Sequence, residues 1–360
     1  MASNRPPTKI SGTFTDKEWT DLRKRLLREI QQLGRNDSWD EALSHFDTRV
    51  RVRFLEPIRK ILNTGRKEGE GFAAMAIMCL LVEFLEAFYQ GRLFSMKKEE
   101  DLLPFEYNSS RSLFRDFLTC RPPFKDYFNS SIANKFYDGV RCGLLHEART
   151  KENWVIREGN VERLYENKDG LKIIKRSAFL SALSEWLNQY IDAVRKDVVL
   201  RQHFLRKMDD LCDISHFAYF AYGRNLSIDQ MKNRCRDNFV EKLGMGILKN
   251  YDIVFNKKSN DGTAKANIEE SDGTCIYGMI YEVDHDGFKF LEEVEKGYNV
   301  LKLNVHDTKS KQEYKVSVFV SENIDKSLSP SRDYADEIIE ALKKERFPAE
   351  YINYVRSKIV

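Results

Sequence analysis

The chain has 360 residues, of which 42% are apolar and 32% charged, and its net charge is +3. These proportions are those of a globular protein; they exclude a mainly disordered chain, a collagen-like repeat and a small disulfide scaffold. At about 150 residues per domain, the length calls for two to three domains. The near-neutral total hides an asymmetry: 37 basic against 29 acidic residues up to residue 207, and 22 against 27 beyond it. A basic half followed by an acidic half suggests two domains with different partners, and the basic surplus permits nucleic-acid binding without demanding it.

Six cysteines stand at 79, 120, 142, 212, 235 and 275. No two have the C-x-x-C spacing of a zinc or thioredoxin-like site. The opening MASNRPPTKISG lacks the apolar core of a secretory signal, so free thiols in a reducing, cytoplasmic setting are expected. The most apolar stretch, 72–85, is shorter than the roughly 20 residues of a membrane span and is interrupted by Glu83. It reads as a buried core helix, and no membrane partner is expected.

Residues 1–14 read as loose. Apolar positions at Trp19, Leu22, Leu26, Leu27 and Ile30 predict a helix over 16–33. Further helices are predicted over 54–62, with Gly65 as a stop signal, and over 72–89, 110–118 and 132–145. Short β-type runs at 154–157 and 171–174, with turn signals Glu158-Gly159-Asn160 and Asp169-Gly170 between them, predict a small hairpin. A single long amphipathic helix follows over 178–207. The second half changes texture. Strands are predicted over 216–222, 251–255, 264–268, 275–283, 299–305 and 313–320, separated by Asn260-Asp261-Gly262, Asp272-Gly273 and Asp286-Gly287, with a closing helix over 334–343. The fold class is therefore α+β. An all-α bundle with a small hairpin is followed by a mixed β-barrel or sheet with helices, and no repeat or low-complexity tract is present.

The sharper chemistry lies in the second half. Tyr219-Phe220-Ala221-Tyr222-Gly223-Arg224-Asn225-Leu226 resembles the YFAYGSNL signature of the γ-glutamyl cyclotransferase (AIG2-like) family. Tyr251–Phe255 resembles that family's second strand, 262–268 its G-x-A-x-I stretch, 277–281 its V-W-G-V-V-W strand, and 291–297 its L-D-x-x-E-G segment, with 328–359 similar to its C-terminal part. The ordered resemblance covers about 216–356 and places the family's domain at 214–360. It implies release of 5-oxoproline from a γ-glutamyl amine or peptide, by attack of the α-amine on its own γ-carbonyl. By register to the motif Glu295, rather than Glu292 or Glu293, would be the base that takes a proton from the attacking ammonium and returns it to the leaving amine. Backbone N–H groups of Gly223, Arg224, Asn225 and Leu226 would hold an anion, helped by a helix expected over 228–242, with Tyr222 a further substrate-binding candidate. Gly223 would permit close approach, and Tyr298 and Tyr334 are candidate pocket residues or simply packed aromatics.

Two departures stand out: the family's Ser is Arg224 here, and Lys296 is inserted between Glu295 and Gly297. Arg224 implies either a substrate with an extra anion or a blocked pocket, so an active enzyme and a non-catalytic copy of the fold both stay open. Cys235 and Cys275 read as small core residues rather than nucleophiles.

In the first half, Arg141 and His146 in Phe136–Ala148 resemble the R-x(4–6)-H motif of HEPN domains, placing a HEPN-like helical domain at 15–207. The resemblance implies a metal-independent ribonuclease of toxin or anti-phage type, in which His146 assists 2′-hydroxyl attack or leaving-group protonation and Arg141 holds the phosphate, across a homodimer. Five residues rotate an ideal helix by about 140°, so the pair would share a stripe only if Gly143 broke the helix. Arg149 and Lys151 extend the basic context, whereas Arg23-Lys24-Arg25 and Lys97-Lys98 read as solvated helix faces. The expected partners are a small γ-glutamyl ligand and, alternatively, RNA. No cofactor and no metal are called for. Three functions remain open: a cyclotransferase, a ribonuclease controlled by a ligand-sensing second half, and a binding protein with both sites dead.

Overall fold

The structure, a computed structural model, describes residues 6–65, 68–159 and 163–359. Its described residues fall into two compact units: one within Met1–Phe94 and Ser109–Cys212, the other within Ser95–Asn108 and Asp213–Val360.

The first unit is helical. Residues 9–15, expected to be loose, pair instead as β1 (Lys9–Ser11) and β2 (Phe14–Thr15). Burial of Ile10 and Phe14 repays the ordering; residues 1–5 of the expected loose segment lie outside the described residues. Helix α1 (Asp16–Arg28) starts at a capping box, with the Thr15 N–H donating to Glu18 at 2.9 Å. It ends five residues before the expected 33. Helix α2 (Asp37–Val50), not predicted, is capped by Asn36, whose Oδ1 accepts from Ser38 and Trp39 N–H. It continues through a π-type turn, Arg51–Leu55, into α3 (Glu56–Leu62).

Helix α4 (Glu70–Gln90) is 21 residues long and, by length and composition, apolar enough to cross a membrane. Here it forms the core: Met75, Met78, Val82, Leu85 and Phe88 are fully buried. Phe46 packs on Phe88, Phe204 and Tyr190 with ring centroids 4.6, 5.5 and 5.8 Å apart.

After α5 (Ser110–Cys120), α6 (Ser130–Phe136) runs through a second π-type turn, Tyr137–Cys142, into α7 (Gly143–Glu147). Gly143 therefore does not break the helix. A Cβ there would stand 2.5 Å from the Arg149 carbonyl oxygen, so its smallness lets the chain fold back beyond Ala148. Strands β3 (Trp154–Arg157), β4 (Tyr165–Lys168) and β5 (Leu171–Lys175) form a three-stranded sheet in the order β3-β5-β4. This corrects the expected hairpin. β3 and β5 are neighbours but parallel, and the hairpin is β4–β5 around Asp169-Gly170. Asn160 of the other expected turn lies outside the described residues.

The predicted helix over 178–207 is two, α8 (Arg176–Lys196) and α9 (Val198–Leu211). Asp197 stops one and caps the other, accepting from Val199 and Leu200 N–H at 2.7 and 3.1 Å. Arg23 is not on a solvated face either. It is buried, and its Nε donates to both carboxylate oxygens of the fully buried Asp209 (2.7 and 2.8 Å), which also accepts from Trp19 Nε1 at 2.8 Å.

The second unit is a closed five-stranded barrel. Its strands are β6 (His216–Ala221), β7 (Val240–Lys258), β8 (Ala264–Asp284), β9 (Asn299–Asp307) and β10 (Glu313–Val320), in the order β8-β6-β10-β9-β7. Only β6 and β10 pair in parallel. Three short predicted strands are thus parts of two long ones. Asp272-Gly273 sits at a register shift that bends β8 rather than ending it. Asp286-Gly287 is not a turn but the start of α11 (His285–Val294), capped by Asp284, which accepts the Gly287 N–H at 2.8 Å. The helix expected over 228–242 is only α10 (Ile228–Cys235), and residue 240 already begins a strand. Helices α12 (Arg332–Lys344) and α13 (Ala349–Ser357) complete the unit.

Segment Ser95–Asn108 belongs to this unit. Its Phe105 is buried and meets the ring of His216 edge-on. His216 Nδ1 lies 2.6 Å from Glu282, both side chains being shut from solvent.

Candidate active site

The barrel unit holds a cavity of about 170 Å³. The residues between β6 and α10 form one wall. Arg224–Leu226 is a 3₁₀ turn in which the Leu226 N–H donates back to the Gly223 carbonyl at 3.1 Å. That bond removes Leu226 from the donors open to an anion; its side chain is buried and lies outside the cavity lining, whereas Tyr222, Gly223, Arg224 and Asn225 line it. Gly223 has a steric reason to lack a side chain, since a Cβ there would stand 3.2 Å from that of Ala266.

The end of α11 brings in Glu295. It lines the cavity, while Glu292 and Glu293 are exposed to solvent. Asn225 Nδ2 donates to Glu295 Oε1 and to the Tyr219 hydroxyl, both at 2.9 Å. Arg234 of α10, a residue the sequence reading missed, forms an ion pair with the same Oε1. Two donors therefore converge on one carboxylate oxygen.

Tyr298 and Tyr334 both line the cavity and both bind the backbone of Ala266, in opposite senses. The Tyr298 hydroxyl donates to the Ala266 carbonyl at 2.6 Å, and the Tyr334 hydroxyl accepts from the Ala266 N–H at 3.0 Å. Tyr298 has spent its proton; Tyr334 still has one to give. Burial pushes the Tyr334 phenol up to about 12, so it stays protonated at neutral pH. Burial likewise raises Tyr219, Tyr222 and Tyr298, and the Tyr222 hydroxyl is taken by the Phe319 carbonyl at 2.5 Å.

The first departure from the motif finds a local answer. Arg224 lies along Glu337 of α12, with Nε–Oε2 at 2.6 Å and Nη2–Oε1 at 3.0 Å. Its charge is matched within the chain and the cavity stays open. Both partners are about two-fifths exposed, so the pair contributes at most about 1 kcal/mol to stability. Lys296, the second departure, is exposed.

The cysteine expectation holds for one residue and fails for the other. Cys235 is buried, and burial pushes its thiol up to about 12. Cys275 is exposed, because it lies at the bend of β8 where the pairing with β7 is interrupted. In a native thiol titration Cys120 and Cys275 should react first, and Cys79, Cys212 and Cys235 only after unfolding.

In the helical unit Arg141 sits on the π-type turn. Its guanidinium lies 3.6 Å from Glu83 of α4 and 5.3 Å from the Tyr137 ring centroid, whereas His146 of α7 is exposed to solvent. The π-type turn ends at Cys142, before His146. Arg149 and Lys151 both pair with Glu147, which offsets the basic context.

Residues 275–355 match the model of the AIG2-like family. No curated protein matches the chain. Among solved structures, a γ-glutamyl cyclotransferase is 23% identical, covering 40% of this chain and 88% of its own at a TM-score of 0.36. An uncharacterized protein from Homo sapiens is 22% identical, covering 39% and 87% at 0.36. YkqA from Bacillus subtilis is 20% identical, covering 42% and 57% at 0.37. The residues matched by the AIG2-like model include Glu295 and Tyr334.

Proposed function

We propose that the barrel unit is a γ-glutamyl cyclotransferase. The observation that carries this reading is that one cavity holds Glu295, the Tyr222–Asn225 loop and the Tyr334 hydroxyl together. A γ-glutamyl group folded back in the cavity presents its α-ammonium to Glu295. With Oε1 engaged by Arg234 and Asn225, Oε2 takes the proton. The freed amine forms a bond to the γ-carbonyl carbon of the same molecule and closes a five-membered ring, a step that needs only correct folding of one reactant. Negative charge moves to the carbonyl oxygen, where the remaining Tyr334 proton can meet it. The bond to the amine half then breaks as Glu295 passes its proton to that nitrogen; the ring nitrogen gives up its second proton to the freed amine, and 5-oxoproline and an ammonium leave.

No observation in the helical unit favours a ribonuclease to the same degree, because Arg141 turns to Glu83 and His146 to solvent. The test is 5-oxoproline release by the full chain from γ-glutamyl amino acids, peptides and alkylamines. Tyr334→Phe keeps the ring and removes the donor; it should lower kcat about 10²-fold with KM little changed. No release from any of these compounds would overturn the reading.

A further inference from the structure

The cavity lining is strongly cationic: Arg224, Arg234, Lys257 and Lys265 stand against the single carboxylate of Glu295. Three of the four cations are matched within the chain. Arg234 pairs with Glu295, Arg224 with Glu337, and Lys265 with Asp261 at 2.8 Å. Lys257 is not. Among the described residues no carboxylate lies within 4 Å of its ammonium, which is half-buried and stands 5.1 Å from the ring centroid of Tyr298.

The sheet makes this placement costly. Lys257 of β7 is directly opposite Lys265 of β8 in the antiparallel register, so both side chains project from one face. Like charges facing each other across two strands are destabilising. Asp261 relieves one of them and leaves the other. A half-buried cation facing a cavity beside a second cation is a site for an anion.

We propose that Lys257 holds a carboxylate of the ligand, and that the cavity therefore selects ligands that carry one. The inference rests on the cyclotransferase reading for the identity of the ligand but not for the charge it must carry. The carboxylate could come from the γ-glutamyl α-carbon or from the amine half, and the experiment separates the two.

Calorimetric titration of the full chain with 5-oxoproline, and with 2-pyrrolidone (the same ring without the carboxylate), would be compared for wild type, Lys257→Gln and Lys257→Arg. KM would be measured for a γ-glutamyl amino acid and a γ-glutamyl alkylamine. Loss of the ion pair should weaken carboxylate ligands about tenfold in Lys257→Gln. Lys257→Arg should restore them to within a few-fold, with 2-pyrrolidone unmoved throughout. A loss shared by 5-oxoproline and both substrates assigns the α-carboxylate; a loss confined to the γ-glutamyl amino acid assigns the amine half. If wild type turns over none of the substrates yet 5-oxoproline binding depends on Lys257, the cyclotransferase reading falls and this inference stands. Equal binding of every carboxylate by wild type and Lys257→Gln, or no binding of any by wild type, overturns it.

Discussion

Glu295→Gln should lower 5-oxoproline release by about 10² to 10⁴-fold, the range that a positioned general base supplies. The substitution keeps the shape and both lone pairs at Oε1, so Asn225 and Arg234 can still donate there. What disappears is the ability to take a proton. The Arg234 guanidinium then lacks its counter-charge; as it is about one-sixth exposed, the cost to stability should be about 1–3 kcal/mol and the fold should persist. Circular dichroism and thermal melting check that the protein is folded. Glu292→Gln and Glu293→Gln, at exposed positions on the same helix, should leave the rate unchanged. A Glu295→Gln variant at the wild-type rate would remove this residue from the reaction, and equal losses in all three variants would point to α11 rather than to one carboxylate.

Asp209→Ala should be the most damaging single change in the helical unit. Asp209 is fully buried and accepts from Arg23 Nε and Trp19 Nε1. Removing the carboxylate takes the acceptor away from the buried Arg23 Nε–H and the buried Trp19 indole N–H. Removing one partner of a buried ion pair costs about 3–5 kcal/mol, a large part of a typical domain's stability. Denaturant unfolding followed by tryptophan fluorescence reads the change through Trp19 and Trp39. Replacing Arg23 and Asp209 together by apolar residues of similar size should recover most of the loss, since neither charge then stays buried alone. A single substitution costing less than about 1 kcal/mol would show that water reaches the pair.

Where one periodicity governs, the residues announced their structure. The repeat of Trp19, Leu22 and Leu26 and the apolar run after residue 72 became α1 and α4. Errors arose where a single side chain overrides the pattern. The apolar repeat continues through Asp197, yet its carboxylate caps a new helix and divides the run. Helix α2 had both a cap at Asn36 and a repeat at Trp39, Leu43, Phe46 and Val50, so its signal was present and unread. The long strand β8 was cut in two because Asp272-Gly273 looks like a turn in one dimension, while in a curved sheet it permits a bend. In the cavity, the motif placed Tyr222, Gly223, Arg224, Asn225 and Glu295 on one wall region. It could not place Arg234, Lys257 or Lys265, which reach the cavity only through barrel closure and helix packing, nor Glu337, which reaches Arg224 from α12.

The membership of Ser95–Asn108 in the barrel unit bears on how this gene can be dissected. The polypeptide passes between units at 94/95, at 108/109 and again at 212/213, so no single cut separates them. A fragment beginning at Asp213 would be born without Phe105, the ring that meets His216 beside Glu282. That loss would open a fully dry pair of ionisable groups to water, and insolubility of the fragment would report on the missing strip rather than on the barrel. A barrel expressed alone needs residues 95–108 supplied, by a short linker to its N-terminus or as a separate peptide.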